Sequence, residues 1–330
     1  EIRLSLVGSE MCIRDSGSNI LRSNGGDITL AGGLDDGGVT NTEFVGRVAN
    51  DGHPDNYSAG VSGWGVAAGV DILNGHQILS AGGDVFIAGR GSAATGDHDM
   101  GVAIRGGLIY SASGKIHVYG RSPASCTNSW HRGILTGWTA RTHIVSESPA
   151  EDAIYLYGNT ASCNSGGSVY ASAIQGHDEN TYVVAPNGGG IKLYGIQGNA
   201  SFADYTANNT QQSNILQLNF VNLIANSGPI SATAVKATTS AEWQLRFATR
   251  VQRISDIGAL ATAVSTTYAG YPTIAAVPSS SDVLLKADSI VPIDAVFRTS
   301  GHLKFEPNTT FDTANTMFFS SDWRVSFPTK

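Results

Sequence analysis

The stretch GDVFIAG at residues 83–89 recurs along the chain in altered form, and this recurrence decides the fold. Close copies read GDITLAG at residues 26–32 and GKIHVYG at residues 114–120. Further copies read DAIYLYG (152–158), GGIKLYG (189–195), GPISATA (228–234) and GHLKFEP (301–307). Each copy alternates apolar positions with a period of two, which is typical of a β-strand with one side facing a core.

The copies follow one another at related spacings. We define the anchor of each copy as its first apolar residue, which gives Ile28, Val85, Ile116, Ile154, Ile191, Ile230 and Leu303. The steps between anchors are 57, 31, 38, 37, 39 and 73 residues. The two long steps predict either an unrecognised degenerate copy or a long loop. A fixed supersecondary unit repeated in this way indicates a repeat architecture.

Two more segments keep a regular relation to the anchors. Seven residues before them stand Leu21, Ile78, Ile109, Val184, Leu223 and Val296, while the fourth copy has Glu147 there with Val145 nearby. Glycine lies two residues before six of the seven anchors, with Asp152 as the exception, and we expect a positive φ at this corner. Further upstream, GVDI at 69–72 and GVAI at 101–104 predict a third strand.

Three short strands in a unit of about 31–39 residues predict an all-β chain, a right-handed parallel β-helix or β-solenoid. The alternative is a β-propeller, which needs four strands per blade and a period of roughly 40 to 50 residues. The region 236–280 is less regular, and residues 243–260 fit either a strand or a helix.

The composition agrees with short strands joined by tight turns. The chain has 330 residues, of which 40 are glycine and 14% are charged, while 41% are hydrophobic. The net charge of −7 argues against a nucleic-acid partner, because such partners select basic surfaces. No apolar run approaches the roughly 18 residues of a membrane helix.

The beginning of the chain is a separate case. Residues 5–16, SLVGSEMCIRDS, resemble the translation of a transposase adaptor used in shotgun DNA sequencing. We therefore expect residues 1–16 to be an adaptor-derived artefact and residues 17–330 to be the repeat region of a longer exported protein.

The repeats resemble those of the filamentous-haemagglutinin type of secreted adhesin, found in two-partner-secretion and autotransporter exoproteins. The resemblance rests on GGDITLAG at 25–32, on GVDILNG at 69–75 followed by SAGGDVFIAG at 80–89, and on VLLKADSI at 283–290 followed by SGHLKFEP at 300–307. It implies a non-catalytic stalk or passenger at the bacterial cell surface, secreted through a partner pore, that contacts glycans or host-cell molecules.

The sequence contains few of the residue patterns that an enzyme active site would need. A glycosidase or polysaccharide lyase of this fold is the alternative function, and glycoside hydrolysis needs two carboxylates facing one groove. The acidic pairs Asp35/Asp36, Glu151/Asp152 and Asp178/Glu179 share no repeat position, so solvated loops are expected. The run Asp97, His98, Asp99 is expected to be a polar loop. We predict no catalytic residue, no cofactor and no metal site.

Three side-chain arrangements follow from the alignment of the copies. Tyr119, Tyr157 and Tyr194 stand three residues past successive anchors, which predicts an outward ladder of stacked rings that is a candidate ligand contact. Cys126 and Cys163 follow the same strand in successive copies and are candidates for a disulfide. Asp84 and Lys115 precede successive anchors and predict a surface charge pair.

Overall fold

The repeated motifs form short strands that lie side by side. The computed structural model describes residues 5–7, 20–32, 66–91, 98–122, 130–161, 170–177, 179–198, 215–218, 220–236, 245–247, 280–288, 290–292, 296–297, 301–308 and 324–325. Strands and turns make up these ranges, and none of their residues is helical.

In chain order, the strands are β1 (Ser5–Val7), β2 (Ile20–Ser23), β3 (Ile28–Gly32), β4 (Val66–Ile72), β5 (Gln77–Ser80), β6 (Val85–Arg90), β7 (His98–Ile104), β8 (Gly107–Ser111), β9 (Ile116–Arg121), β10 (Trp130–Thr136), β11 (Thr142–Ser146), β12 (Ile154–Thr160), β13 (Tyr170–Gly176), β14 (Thr181–Ala185), β15 (Ile191–Gln197), β16 (Leu216–Leu218), β17 (Val221–Ala225), β18 (Ile230–Lys236), β19 (Leu245–Phe247), β20 (Val283–Lys286), β21 (Ile290–Pro292), β22 (Val296–Phe297), β23 (Leu303–Glu306) and β24 (Arg324–Val325).

Three parallel sheets collect equivalent strands of successive repeats. The motif sheet has nine strands in the order β1-β3-β6-β9-β12-β15-β18-β20-β23. The leading sheet has seven, β21-β19-β16-β13-β10-β7-β4, and the middle sheet six, β17-β14-β11-β8-β5-β2. A complete repeat, such as β7, β8 and β9, gives one strand to each sheet, and we call it a rung. This order is consistent with a parallel β-solenoid. Because every described strand pair is parallel, the propeller alternative is excluded.

The anchors from Ile28 to Ile230 form one buried column, as the sequence predicted, and Leu303 at the end of the column is partly buried. Ile28 pairs with Val85, and the pairing continues without a break through Ile116, Ile154, Ile191, Ile230, Val283 and Leu303. The first long step adds no motif strand, since Ile28 and Val85 are direct neighbours. The second long step contains the unrecognised copy, in which Val283 takes the place of an anchor.

The second column departs from the predicted positions in two rungs, and the predicted Val296 lies in β22, which pairs with β24 outside the middle sheet. The paired inward residues of the middle sheet are Leu21, Ile78, Ile109, Ile144, Val183 and Leu223. Two predicted positions are therefore wrong. Val183 faces the core in place of the predicted Val184, and Ile144 faces it in place of Val145 or Glu147. The cause is the corner before the anchor, which is longer in these two rungs than in the others.

The corner glycines serve a purpose other than the one predicted. Positive φ occurs in the described glycines at Gly25, Gly75, Gly106, Gly107, Gly137 and Gly188, none of which lies two residues before an anchor. Instead, a β-carbon on Gly83 would lie 2.3 Å from the carbonyl of Gly26, and one on Gly114 would lie 2.2 Å from the Gly83 oxygen. Glycine is required here because the backbones of successive rungs touch at this corner.

A second set of glycines allows the motif sheet to cross the leading sheet at close range. A β-carbon on Gly89 would lie 2.0 Å from the carbonyl oxygen of Gly101, and one on Gly120 would lie 2.0 Å from that of Gly133. The same contact joins Gly32 to Gly69 at 1.9 Å. At this glycine crossing the backbones of the motif sheet and the leading sheet are in contact, because neither residue of each pair has a side chain.

Serine hydroxyls hold the corner between the middle and motif sheets. Ser80 Oγ donates to the Gly83 oxygen at 2.7 Å, and Ser111 Oγ donates to the same oxygen at 3.0 Å. Ser146 Oγ donates to the Gly114 oxygen at 2.8 Å in the next rung. These hydroxyls are buried and satisfy carbonyl groups that the turn leaves outside the sheet ladders.

Two further segments relate to the sequence predictions. Within the adaptor-like stretch, β1 pairs with β3 along the edge of the motif sheet. In the segment that fitted either strand or helix, Leu245–Phe247 forms β19, and its neighbours are β16 and β21. Of residues 236–280, only this strand, Lys236 and Ser280 fall in the described ranges.

Candidate functional site

The predicted tyrosine ladder is present and its rings are stacked. Tyr119, Tyr157 and Tyr194 are direct neighbours across β9, β12 and β15. The ring centroids of Tyr119 and Tyr157 lie 4.7 Å apart with planes at 15°, and those of Tyr157 and Tyr194 lie 5.6 Å apart at 7°. Strand alternation turns all three rings away from the anchor column.

The exposure expected of this ladder is wrong for two of its rings. Tyr119 is 0% exposed and Tyr157 is 5% exposed, so neither offers a face to a ligand. Tyr194 is only partly buried, and it lies where the covered part of the motif sheet ends. The outer face of this sheet is a second packed layer, in which Phe86 and Tyr155 are also buried. The ladder therefore has one accessible ring.

A second aromatic column runs beside the tyrosines. The His117 ring meets Phe86 edge-on at 5.4 Å and Tyr155 edge-on at 5.8 Å. The Lys192 ammonium lies 5.2 Å from the centroid of the Tyr155 ring, within the range of a cation–π interaction. Lys192 is exposed, which places a cation beside the accessible end of the ladder.

The predicted charge pair between Asp84 and Lys115 is not formed by their side chains. Asp84 Oδ1 accepts the backbone N–H of Lys115 at 2.8 Å, and the Lys115 ammonium instead lies 2.7 Å from Asp152 in the following rung. Asp84 and Lys115 are neighbours in successive rungs, as the alignment predicted. The short Asp84 side chain, however, reaches the Lys115 backbone N–H more readily than the ammonium at the end of the Lys115 side chain. Burial opposes ionisation of Asp152, yet the hydrogen bond and charge of Lys115 outweigh it and lower the pKa of this carboxyl.

The other predicted residues have different outcomes. Cys126 and Cys163, the candidates for a disulfide, lie outside the described residues.

Asp99 does not belong to a polar loop, because it lies in β7, is 2% exposed and has Oδ2 3.5 Å from His131 Nδ1. Asp152 is not a freely solvated loop carboxylate, since it contacts Lys115 and His117. Within the described ranges, no group of three or more potential ligands is arranged to hold a metal ion.

Two buried arginines were not predicted from the sequence: Arg105 directly follows β7, and Arg132 lies in β10. Arg105 is 4% exposed; its Nε donates to Asp71 Oδ1 at 2.9 Å, and its guanidinium lies 5.7 Å from the Trp138 ring. Burial raises the pKa of Asp71 even though Arg105 opposes this change.

Arg132 has a different environment. It is 3% exposed, its Nε donates to Gln175 Oε1, and its guanidinium lies 5.1 Å from the Trp130 ring. Burial lowers the pKa of Arg132. The sequence did carry a signal, because a Trp and an Arg two residues apart share one face of a strand.

Comparison with protein-family models, with curated proteins and with solved structures finds no match to this chain. The described residues contain no helix that is long and apolar enough to span a membrane.

Proposed function

We propose that the chain is a right-handed parallel β-helix that serves as the non-catalytic stalk or passenger of a secreted bacterial surface adhesin. The observation that carries this proposal is the unbroken anchor column from Ile28 to Leu303, which runs through the motif sheet from β3 to β23. Right-handed coiling is expected because connections between parallel strands of a sheet have this hand in about 98% of cases.

The side chains on the outer face of the motif sheet support a mechanical role. Their rings stack from rung to rung, as Tyr119, Tyr157 and Tyr194 do. The carboxylates of Asp84 and Asp152 bind a backbone amide and a lysine. Groups used in this way tie neighbouring rungs together, and a repeat protein depends on such nearest-neighbour contacts for its stability.

The adhesive contact is proposed at the accessible end of the tyrosine ladder. Tyr194 is partly exposed, and Lys192 stands two residues before it on the same side of β15. An aromatic ring with a nearby cation fits a saccharide or another cell-surface group. The partner secretion pore and the location at the outer cell surface are part of the same proposal.

Binding and turnover measured together test this function. The purified chain is applied to bacterial and epithelial cells and to a glycan array, and the same glycans are assayed for cleavage products. We expect saturable binding with no product. Tyr194→Ser should weaken binding while the chain remains folded, whereas Tyr110→Ser, at another half-buried tyrosine on the middle sheet, should leave binding unchanged. Product release would replace the proposal with a carbohydrate-active enzyme, and the absence of any binding would leave only a spacer.

A further inference from the structure

The buried guanidinium of Arg132 has fewer partners than its position demands. Arg132 lies on β10 and is 3% exposed. Its Nε donates to Gln175, while its Nη1 is buried and has no hydrogen-bond partner. The Trp130 ring lies 5.1 Å from the guanidinium carbon, within the range of a cation–π interaction. A guanidinium carries five N–H donors, and the two on Nη1 are left without a hydrogen-bond acceptor.

The buried arginines Arg105 and Arg132 differ in their counter-charge. Arg105 is neutralised by Asp71, which accepts hydrogen bonds from two of its nitrogens. In the described part of the chain, no acidic side chain pairs with Arg132. Its neighbours in register are Met100 and Ser172, which carry no charge.

Asp99 does not neutralise Arg132 either. It is in register with His131, and adjacent residues of a strand point to opposite faces of a sheet. A buried charge without a counter-charge is costly, and natural proteins avoid it by pairing or by binding an ion.

We propose that Arg132, Gln175 and Trp130 form a binding site for an oxyanion, meaning a carboxylate, sulfate or phosphate group. The guanidinium would supply its Nη donors to the anion, because planar oxyanions accept two parallel hydrogen bonds from arginine. Gln175 Oε1 is already used by Arg132 Nε, so its amide nitrogen would add a further donor. Trp130 is the partly exposed member of the cluster, and we expect the anion to enter beside its ring.

Equilibrium dialysis of the full chain against radiolabelled sulfate at fixed ionic strength tests this site. We expect about one sulfate bound per chain in the wild type. Arg132→Gln should lower the affinity at least tenfold, and Arg132→Lys should lower it less, because the charge remains but the planar donor pair is lost. Arg141→Gln is the matched control, since Arg141 is an exposed arginine of the same rung, and it should bind as the wild type does.

Competition identifies the source of the anion. Displacement of sulfate by glucuronate at lower concentration than by acetate assigns the site to an acidic saccharide, and displacement by phosphate alone assigns it to a free inorganic ion; both results support the oxyanion site. Melting temperature is not sufficient here, because sulfate stabilises folded proteins by exclusion from their surface.

Two results would overturn the proposal. One is a wild-type chain that binds no sulfate, and the other is equal affinity in Arg132→Gln and Arg141→Gln. If Arg132→Gln does not fold, Gln175→Met retains the arginine and removes one donor. This variant should then show weaker sulfate binding than Arg141→Gln, and equal binding would count against the site.

Discussion

At the scale of single residues, backbone contact between rungs fixes the glycines of this fold. Gly83 and Gly114 touch the preceding rung at the corner, and Gly89 and Gly120 touch the leading sheet at the glycine crossing. Their recurrence was visible in the sequence, but its cause was not, because a regular spacing of glycine is equally compatible with a positive φ. Only the positions of neighbouring carbonyl groups distinguish the two explanations.

Alanine at the glycine crossing should be strongly destabilising. In Gly120→Ala the new methyl group would meet the Gly133 oxygen at 2.0 Å, so two sheets must move apart. We expect a loss of about 3 kcal/mol or more in the free energy of unfolding, at the upper end of overpacking effects. Gly82→Ala is the control, since its methyl group would lie 3.2 Å from the Ser113 hydroxyl and 3.9 Å from the Gly25 α-carbon. Urea unfolding that gave equal losses for both variants would contradict the crossing.

The buried serine corner should also contribute measurably. Ser111 is 0% exposed, its Oγ donates to the Gly83 oxygen, and it accepts the Gly114 N–H at 2.9 Å. Ser111→Ala leaves the Gly114 N–H unsatisfied, while the Gly83 oxygen keeps its hydrogen bond from Ser80, and we expect a cost of about 1–3 kcal/mol. Ser113→Ala, two residues on and exposed, should change the free energy of unfolding by less than about 0.5 kcal/mol. A loss in Ser111→Ala no larger than in Ser113→Ala would show that the hydroxyl is not required.

At the scale of strands, the sequence predicted the inward face well and the outer face poorly. Alternation identified the anchors because they are aliphatic in every rung. The outer positions were assigned to solvent by the same alternation, yet Tyr119 and Tyr157 are buried. A strand covered on both sides loses the contrast between polar and apolar positions, so its outer residues cannot be assigned from periodicity. Corner length limits the prediction too, as the shift from Val184 to Val183 shows.

The tyrosine stack should be important for stability in proportion to the burial of each ring. Tyr157 contacts rings on both sides and is 5% exposed, so Tyr157→Ser should cost about 3–5 kcal/mol, as truncation of a buried aromatic residue does. Tyr157→Phe keeps both stacked contacts and should cost less than about 1.5 kcal/mol. Tyr194→Ser should fall between these values, because this ring is partly exposed and stacks on one neighbour. Chemical unfolding that ranked Tyr194→Ser above Tyr157→Ser would contradict this order.

A buried histidine of the middle sheet should make the chain sensitive to mild acid. His143 on β11 is 1% exposed and stacks on Tyr182 of β14 at 5.1 Å, and burial, with Arg141 nearby, lowers its pKa to about 4. The unfolded chain has a pKa of about 6.5 at this residue, so it binds more protons between these two values. Stability should therefore fall as the pH drops from about 6.5 to 4, by about 3 kcal/mol in total.

The variant His143→Phe isolates this contribution. Phenylalanine retains a ring beside Tyr182 but does not titrate, and all other groups act equally in both proteins. The difference in unfolding free energy between His143→Phe and the wild type should grow in favour of the variant below pH 6.5. A difference that stays constant from pH 7 to pH 4 would show that His143 is not held in its neutral form.

At the scale of the whole molecule, the repeat is the unit that the sequence reveals most reliably. The pairing of successive anchors followed from alignment alone. The copy at Val283 was noticed as a resemblance but was not aligned as an anchor, because leucine and lysine follow it without the flanking glycines. The buried arginines were missed for the opposite reason. A single Arg132 on one rung has no counterpart in the other copies, and an alignment of repeats finds only what recurs.

Rung deletion tests whether stability resides in contacts between neighbouring rungs. Removing residues 85–115 takes out β6, β7 and β8, so that Asp84 is followed by Ile116 and β3 can pair with β9. The shortened chain should fold, because the anchor column closes again with the same residue types. Its urea m-value should fall in proportion to the surface removed, and its melting temperature should decrease modestly.

Removing residues 98–115 is the matched control. This shorter deletion takes out β7 and β8 only, so two consecutive strands, β6 and β9, would both belong to the motif sheet with no path through the other two sheets. The control should fail to show a cooperative transition although it loses fewer residues. Circular dichroism during urea unfolding distinguishes the two chains, and a cooperative transition in the control together with none after removal of residues 85–115 would contradict the arrangement in rungs.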